Sequence, residues 1–382
     1  MSERTIIHNA KLVTPSNIVE HAAVWMEDEH IAQITNSSAV PAENWKLVDA
    51  QNAWLIPASV DLHIHGMGGF GPEQATPQSL LGLSSVLAKQ GVGAFCPTLY
   101  CAQPTQMISL LKKLTPAIGK ETSAHIIGFH LEGPFISPQK PGVMRPQDIA
   151  PVNLPDFQQI YDAAEGKIAI VTLAPELPGI DPIIEFCLQH NIVVQAGHTN
   201  ATYEEMQTAF SKGVRRVTHW GNAMSGLHQR APGVFGAALI NPEISCEVIA
   251  DGKHVHPALL TLLRQAKPIS QITAVTDALL PTKQPQGPFV ANGEEVVLLD
   301  GVWKRKTDGV TAGSALTMQG AFKQLVQVGY SVMEASQCTS SNAARLMNLP
   351  IGNIQIGTKA DLLLLKEDYT LQQVWLDGKS VL

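Results

Sequence analysis

Histidines and carboxylates stand at the ends of several apolar, strand-like runs in this sequence of 382 residues. The first pair is His63 and His65, which directly follow the apolar run 54–60. Side chains two residues apart on a strand point to the same side, so both imidazoles can share one metal ion. Further metal-ligand residue types close later runs, namely Glu132, Glu176, His198, His219, Asp251, His254 and Asp277. Their recurrence predicts a metal site, which a single histidine would not.

These residue types are suited to hydrolysis. Histidines and a carboxylate hold zinc or iron with one position left open, and such an ion lowers the pKa of water toward neutrality. Asp277, at the end of the last run, is expected to take the proton from the water and pass it to the leaving group. The sequence has no serine in a nucleophile elbow and no plausible cysteine–histidine pair, which disfavours covalent catalysis. Arg230, in a glycine-rich loop after His219, is either a phosphate ligand or a solvent-exposed arginine.

The elements that must position these residues alternate regularly between residues 58 and 345. Strand-like runs occur at 55–65, 93–99, 126–132, 168–174, 192–197, 214–219, 247–250 and 272–277. Helical patterns between them include 77–90, 104–118, 181–190 and 202–212, the last with Thr202 as its N-cap. Eight such units predict an α/β fold, a (β/α)8 TIM-type barrel with its active site at the carboxyl ends of the strands.

The barrel pattern is followed by an insertion and flanked by β-type ends. A hairpin over 289–297 is predicted to turn at Asn292-Gly293, and helices near 316–328 and 333–346 follow it. Short β-type runs occur at both ends of the chain, and neither end can bury a core alone. We therefore predict a small β-sandwich domain formed by both termini, residues 1–57 and 350–382, beside a metal-dependent barrel hydrolase domain, residues 58–349.

Composition limits the function classes. The hydrophobic content of 45% and the charged content of 15% are ordinary for a globular protein. A net charge of −7 without a basic run argues against nucleic-acid binding. Five scattered cysteines disfavour a disulfide framework and fit a reducing compartment. The N-terminus has no apolar signal core and no run reaches membrane-spanning length, so a cytoplasmic protein that binds no membrane is expected.

The same residues resemble the amidohydrolase superfamily and, within it, the N-acetylglucosamine-6-phosphate deacetylases. The resemblance implies the barrel with its small β domain, a metal-dependent deacetylation and a homodimer. The motifs that carry it extend over nearly the whole chain: Asp61-Leu-His-Ile-His-Gly66, His130-Leu-Glu-Gly-Pro134, Leu173-Ala-Pro-Glu176, Gly197-His-Thr-Asn200, Thr218-His219, Asn222-Ala-Met224, Ala250-Asp-Gly-Lys-His-Val255, Thr276-Asp-Ala278 and Gly313-Ser-Ala-Leu-Thr-Met318.

The resemblance also implies a metal-ligand set. Glu132, His198 and His219 match the ligands of the main metal. His63 and His65 match the ligands of a second metal, which only some family members have and which Glu132 would bridge. One or two divalent ions per chain are therefore expected, with zinc as the first choice and iron as the second.

The remaining roles also follow from the resemblance. Asp277 matches the catalytic acid and base, and His254 matches a contact to the sugar or its phosphate. Asn222 and Ala223 match the loop that meets the phosphate, and Arg230 matches an arginine donated across the dimer. The expected substrate is therefore a phosphorylated N-acetyl amino sugar.

The sequence departs from the family at Met144. The family usually has a histidine there, which polarises the amide carbonyl, and a thioether cannot donate a hydrogen bond. The neighbouring Arg145 is one candidate to supply the donor. The metal ligands and the base match the family, so an altered sugar or acyl pocket is expected.

The function that follows is hydrolysis of the acetamide of an N-acetylhexosamine-6-phosphate, with N-acetylglucosamine-6-phosphate as the first choice. The stretches Gly226-Leu-His-Gln-Arg-Ala-Pro-Gly233 and His254-Val-His-Pro257 also resemble N-acetylgalactosamine-6-phosphate deacetylases, which leaves the epimer open. A cyclic-amide hydrolase of the same superfamily is a second alternative, although such enzymes often have a carboxylated lysine that this sequence lacks at its strand ends. An inactive barrel that acts as a binding protein is a third, and it would predict lost ligands or a lost base.

Overall fold

The computed structural model describes residues 4–37 and 44–382. The strands are β1 Arg4–Val13, β2 Ile18–Glu27, β3 His30–Asn36, β4 Lys46–Asp49, β5 Trp54–Pro57, β6 Ser59–Ile64, β7 Val92–Leu99, β8 His125–Ile126, β9 Phe129–Glu132, β10 Ile168–Leu173, β11 Val193–Ala196, β12 Arg216–Val217, β13 Ser245–Ile249, β14 Ile272–Val275, β15 Val290–Ala291, β16 Glu294–Leu299, β17 Val302–Arg305, β18 Thr311–Ser314, β19 Leu362–Leu365, β20 Leu371–Leu376 and β21 Lys379–Ser380. The α-helices are α1 Pro77–Lys89, α2 Pro104–Leu114, α3 Leu154–Ala163, α4 Asp181–Gln189, α5 Tyr203–Ser211, α6 Gly233–Ile240, α7 Pro257–Ala266, α8 Met318–Gln327, α9 Val332–Ser336 and α10 Asn342–Leu346. Within the described ranges, no helix is long and apolar enough to cross a membrane.

Eight parallel strands form the predicted barrel in the order of the chain, namely β6, β7, β9, β10, β11, β12, β13 and β14. The first and last strands meet just beyond their carboxyl ends. There the Asp277 N–H donates to the His63 carbonyl at 2.8 Å, and the His65 N–H donates to the Ala278 carbonyl at 2.9 Å. The (β/α)8 barrel is therefore confirmed, and its closure lies next to the predicted site.

Helices cover the barrel because their apolar residues recur at helical spacing. In α1, Leu80, Leu83 and Leu87 are buried, which places one apolar stripe against the strands. The predicted N-cap of α5 is confirmed: the Thr202 side chain accepts from the Glu205 N–H, and Glu205 accepts from the Thr202 N–H in return. Such caps fix where each helix begins after the loop that carries functional residues.

Strands from both ends of the chain form one eight-stranded sheet in the order β21-β20-β19-β5-β1-β2-β3, with β4 beside β1. The C-terminal β19 pairs antiparallel with β5, so the end of the chain completes the sheet begun by its start. Leu12, Leu55 and Leu364 share one buried cluster of this sheet. The predicted β domain of both termini is confirmed, whereas its boundaries at 57/58 and 349/350 stay a prediction and its residues 1–3 and 38–43 lie outside the described residues.

The predicted first strand, 55–65, is wrong as a single strand. The structure divides it into β5, in the terminal sheet, and β6, in the barrel. The reason lies in two adjacent backbone groups: the Ala58 N–H donates to the Asp361 carbonyl of the terminal sheet, and the Ser59 N–H donates to the Gly91 carbonyl beside the barrel strand β7. The chain therefore changes sheets between these two residues.

Smaller differences concern element ends. The sixth run, predicted at 214–219, is only β12, because the backbone turns at His219 with a φ of 29°. The helix predicted at 104–118 is α-helical only to Leu114, and a 3-10 turn with Pro116 follows it. The helix predicted at 333–346 is divided by a π-helical turn at 337–341. The hairpin at Asn292-Gly293 is confirmed, but the two further strands of its sheet, β17 and β18, were not predicted.

Candidate active site

Three predicted metal ligands meet at the end of β9. The Glu132 Oε1 atom lies 3.0 Å from His198 Nε2 and 3.1 Å from His219 Nε2, and these two nitrogens lie 3.3 Å apart. All three side chains are buried. Because β9, β11 and β12 run parallel in one barrel, the loops after their carboxyl ends bring these residues together.

A second group lies beside the first. The Asp277 Oδ1 atom is 3.4 Å from His63 Nε2 and 3.3 Å from His65 Nε2. Glu132 reaches this group as well, since its Oε2 lies 3.3 Å from His65 Nε2 and its Oε1 lies 3.6 Å from His63 Nε2. Glu132 therefore stands between the two groups, where the resemblance implied a bridging ligand, and Asp277 is a member of the second one.

The orientation of the imidazoles fits a metal ion. The Nδ1 atoms of His63, His65 and His198 lie 2.8, 3.2 and 3.0 Å from the Glu247 carboxylate, the Thr98 carbonyl and the Lys140 carbonyl. These acceptors hold the ring proton on Nδ1, which leaves each Nε2 lone pair to face the carboxylates. The buried Nε2 of His63 has no hydrogen-bond partner in the described part of the chain. Such convergence of nitrogen and oxygen donors is typical of a site for a divalent cation.

Glu247 of β13 supports this site from below and was missed as a functional residue. Its Oε1 accepts from the His219 N–H at 3.2 Å in addition to facing His63, and its Oε2 accepts from Gln195 at 3.3 Å and from Arg216 at 3.4 Å. Burial raises the pKa of Glu247, but His63 and Arg216 outweigh burial and lower it well below its usual value. A glutamate within an apolar strand run was the available signal in the sequence.

The chain turns sharply where three of the site residues stand. The φ values of His198, His219 and Asp277 are 45°, 29° and 49°. Residues other than glycine rarely adopt this left-handed backbone region. Each such residue costs about 1–3 kcal/mol, and such strain clusters at functional sites. The turns place all three residues immediately beyond the parallel strands β11, β12 and β14.

A cavity of about 220 Å³ opens beside the two groups. Its walls include Glu132, His198, His219, His65 and Asp277, together with the predicted substrate residues Met144, Asn222, Ala223 and His254. Residues 310–313, in and before β18 of the insertion, form the facing wall. The predicted ligands except His63, the predicted base and most of the predicted substrate contacts therefore line one cavity.

Other predicted residues lie elsewhere. Arg230 is exposed and does not line the cavity. Glu176 does not line it either: its carboxylate accepts from the Thr199 hydroxyl at 2.6 Å and so holds the loop after β11. Arg145 donates to Asp148 at 2.6 Å and lines a neighbouring cleft, so it is not placed to serve the cavity as a donor. Asp251 positions His254, with 2.6 Å between Oδ2 and Nδ1.

Tyr100, directly after β7, is a further cavity residue that the sequence analysis missed. Its ring stacks on His65 with centroids 3.7 Å apart and 2° between the ring planes. Its hydroxyl oxygen is buried and has no hydrogen-bond partner within the described ranges. Burial, and after it the negative charge of Glu73, raises the pKa of Tyr100 well above its usual value. The phenol therefore keeps its proton.

The sequence matches a family model and several known proteins. The model of the amidohydrolase family matches residues 54–381. The chain belongs to the amidohydrolase family. It is 30% identical to an N-acetylgalactosamine-6-phosphate deacetylase of Escherichia coli O157:H7, over 93% of this chain and 95% of that protein. It is also 30% identical to an N-acetylglucosamine-6-phosphate deacetylase of Bacillus subtilis, over 96% of this chain and 94% of that protein.

A solved structure extends the likeness to the fold. A mutant N-acetyl-D-glucosamine-6-phosphate deacetylase from Mycobacterium smegmatis, in complex with N-acetyl-D-glucosamine-6-phosphate, superposes with a TM-score of 0.93. Its sequence is 25% identical, and the match covers 100% of both chains. The resemblance noted from the motifs is therefore confirmed at the level of the family and the fold.

Glu132→Gln should abolish metal binding, because it removes the charged ligand that both groups share. The measurement is the metal content per chain of purified protein by mass spectrometry. Glu185→Gln is the matched control, since that carboxylate is exposed on α4 and does not line the cavity. Full metal content in Glu132→Gln would show that the ion binds elsewhere.

Proposed function

We propose that this protein hydrolyses the acetamide of an N-acetylhexosamine-6-phosphate to the amino sugar phosphate and acetate. The observation that carries the proposal is the convergence of two groups, Glu132-His198-His219 and His63-His65-Asp277, beside one cavity that all of them except His63 line. N-acetylglucosamine-6-phosphate is the first choice of substrate. The identity of 30% over nearly the whole chain to two deacetylases of N-acetylhexosamine-6-phosphates supports the reaction.

We propose that Glu132, His198 and His219 hold the main divalent ion and that His63 and His65 can hold a second. Zinc is the first choice and iron the second, because both accept imidazole and carboxylate ligands. Such an ion lowers the pKa of water at its open position, which is the chemistry that amide hydrolysis at neutral pH requires.

The residues of the chain perform the proton transfers and the binding. Asp277 lines the cavity beside the imidazoles of His63 and His65, so its carboxylate can accept the proton of the attacking water and return it to the leaving nitrogen. The Nε2 atom of His254 is buried without a partner in the described chain, and Asp251 holds the ring in place. His254 is thus prepared to bond a sugar hydroxyl or phosphate oxygen, and Asn222 and Ala223 flank the same cavity.

The alternatives differ in what they require. Both epimers place the acetamide in the same way, so an N-acetylgalactosamine-6-phosphate deacetylase stays the second candidate, and a relative of that name favours it. A cyclic-amide hydrolase with a bridging carboxylated lysine has less support, because no lysine lines the cavity among the described residues. An inactive barrel has less support still, since ligands and base lie together.

A homodimer in the cytoplasm completes the proposal. The loop that contains Arg230 is exposed, and the apolar Leu227 in the same loop is 56% exposed in the single chain. A second copy of the chain that packs on this loop would bury that apolar surface. Arg230 would then reach the phosphate in the cavity of the partner subunit, since it does not line its own.

Acetate release tests the function directly. The wild-type protein should release acetate from N-acetylglucosamine-6-phosphate, and the screen should include the C4 epimer, both sugars without phosphate, and a cyclic amide. Chelation should abolish the reaction. Preference for the cyclic amide, or activity that survives full removal of metal, would contradict the proposal.

Asp277→Asn should lower turnover by roughly 10²-fold or more, because the amide keeps the shape but cannot carry a proton. Metal at the main group should be largely retained, since Glu132, His198 and His219 are unchanged. Steady-state kinetics with a parallel metal assay measures both. A variant with near-normal turnover would assign the proton transfer to another carboxylate.

Arg230→Ala should raise KM for the phosphorylated sugar far more than KM for the unphosphorylated one. Cutting one partner of a buried charge pair costs about 2–5 kcal/mol, and only the phosphorylated substrate would lose it. Arg215→Ala is the matched control, because Arg215 pairs with Glu243 at the surface, 3.0 Å apart. Equal effects on KM for both substrates would show that Arg230 does not bind the phosphate.

A further inference from the structure

Addition of water to an amide places negative charge on the carbonyl oxygen, and a hydrogen-bond donor beside that oxygen stabilises the transition state. Most polar groups around the cavity are already committed. The Asn222 side-chain amide donates to the His219 carbonyl at 3.2 Å, and His254 faces Asp251 through Nδ1. Met144 offers only a thioether, which has no proton to donate.

Three buried atoms of cavity residues have no hydrogen-bond partner in the described chain: the Tyr100 hydroxyl, the His254 Nε2 atom and the His219 Nδ1 atom. His219 serves its ligand group through Nε2, so Tyr100 and His254 remain as candidate donors. They differ in position. Tyr100 stacks face to face on His65, which belongs to the second ligand group, whereas the ring of His254 is held by Asp251 after β13. Tyr100 therefore lies on the side of the cavity where the reacting amide must meet the ligand groups.

Tyr100 and Met144 form one wall. Met144 belongs to a small buried cluster with Cys101 and Ile136, and the Tyr100 ring packs against that cluster. Tyr100 can thus supply, from the same wall, the hydrogen-bond donor that Met144 lacks.

The hydroxyl also has no structural use that the described residues reveal. Leaving a buried hydroxyl without a partner costs about 1–3 kcal/mol of folding free energy. If the ring were needed only for packing, phenylalanine would therefore give the more stable protein. The second cavity that Tyr100 lines, of about 320 Å³, contains Glu73, whose Oε2 accepts from the Asn292 N–H at 2.9 Å. No hydrogen bond joins that carboxylate to the Tyr100 hydroxyl, so Glu73 does not supply the missing partner.

We propose that the Tyr100 hydroxyl donates a hydrogen bond to the carbonyl oxygen of the scissile amide. This inference rests on the proposed function and assigns to Tyr100 the place that Met144 cannot fill. No proton is transferred by Tyr100, since the Asp277 carboxylate already serves that step.

Tyr100→Phe tests the assignment because it removes the donor and keeps the ring that stacks on His65. We expect kcat for acetate release to fall by ~10²–10³-fold, as when one oxyanion donor is lost. We expect KM to change by less than about threefold, because the bond forms mainly in the transition state, and metal content to stay unchanged. Tyr330→Phe is the matched control, since its hydroxyl donates to the Leu260 carbonyl at 3.0 Å outside the cavity.

A rescue separates a donor from a structural support. Met144→His in the Tyr100→Phe background puts a donor back on the same wall and should raise kcat by roughly tenfold or more. The same substitution in the wild-type background should have a smaller effect, because Tyr100 already donates there.

The outcomes distinguish failure of the proposed function from failure of the role assigned to Tyr100. A wild type that releases no acetate from either epimer overturns the proposed function, and the role of Tyr100 with it. An active wild type whose Tyr100→Phe variant keeps kcat within about threefold overturns the role of Tyr100 alone. Loss of bound metal in Tyr100→Phe also overturns it, because the ring would then act only by supporting His65.

Discussion

The structure depends on the burial of one carboxylate. Glu132 is 2% exposed, and four imidazole nitrogens lie between 3.0 and 3.6 Å from its two oxygens. Burial raises the pKa of Glu132, but His63, His198 and His219 outweigh burial and lower it well below its usual value. An unpaired carboxylate at this depth would be very costly, so the histidines are required for the fold as well as for chemistry. The loops of three barrel strands are fixed by that single requirement.

Beneath this carboxylate the barrel interior is polar. Glu247, Arg216 and Gln195 form a hydrogen-bonded layer, and His130 is held between the hydroxyls of Thr98 and Thr172 at 3.1 and 2.8 Å. Burying these groups is tolerable only because each finds partners of the right kind. The layer also has a function, since Glu247 fixes the proton of His63 on Nδ1 and thereby leaves Nε2 for the site. Hydrophobic packing alone could not set that orientation.

The sequence predicted the residues whose position follows from topology. His63, Glu132, His198 and Asp277 close separate strand runs, and a barrel brings strand ends together whatever the details of packing. It did not predict contacts that depend on register. Glu247 looks like the polar start of an apolar strand, and its partnership with His63, 184 positions away, exists only once the barrel closes. Tyr100 looks like an ordinary aromatic residue, because a hydroxyl without a partner is a property of three-dimensional surroundings. The exposed Arg230 is a third case, since its predicted role depends on a second copy of the chain and stays a prediction.

The contacts that close the barrel also position two residues of the site, His63 and Asp277. The strands that meet where the barrel closes are β6, which contains His63, and β14, which is followed by Asp277. Asp61 holds the two strands together, because its carboxylate accepts from the Thr276 hydroxyl at 2.6 Å and from the Thr276 N–H at 3.2 Å. Burial raises the pKa of Asp61 to about 7, so this joint is maintained by hydrogen bonds and not by a solvated charge.

At the amino end of β6, Ala58 alone separates the strand from the terminal sheet, and its N–H donates to the Asp361 carbonyl near the end of the chain. The position of His63 is therefore fixed from both directions, by the last barrel strand through Asp61 and by the C-terminal segment through Ala58, so the β domain built from both termini supports the strand that carries His63.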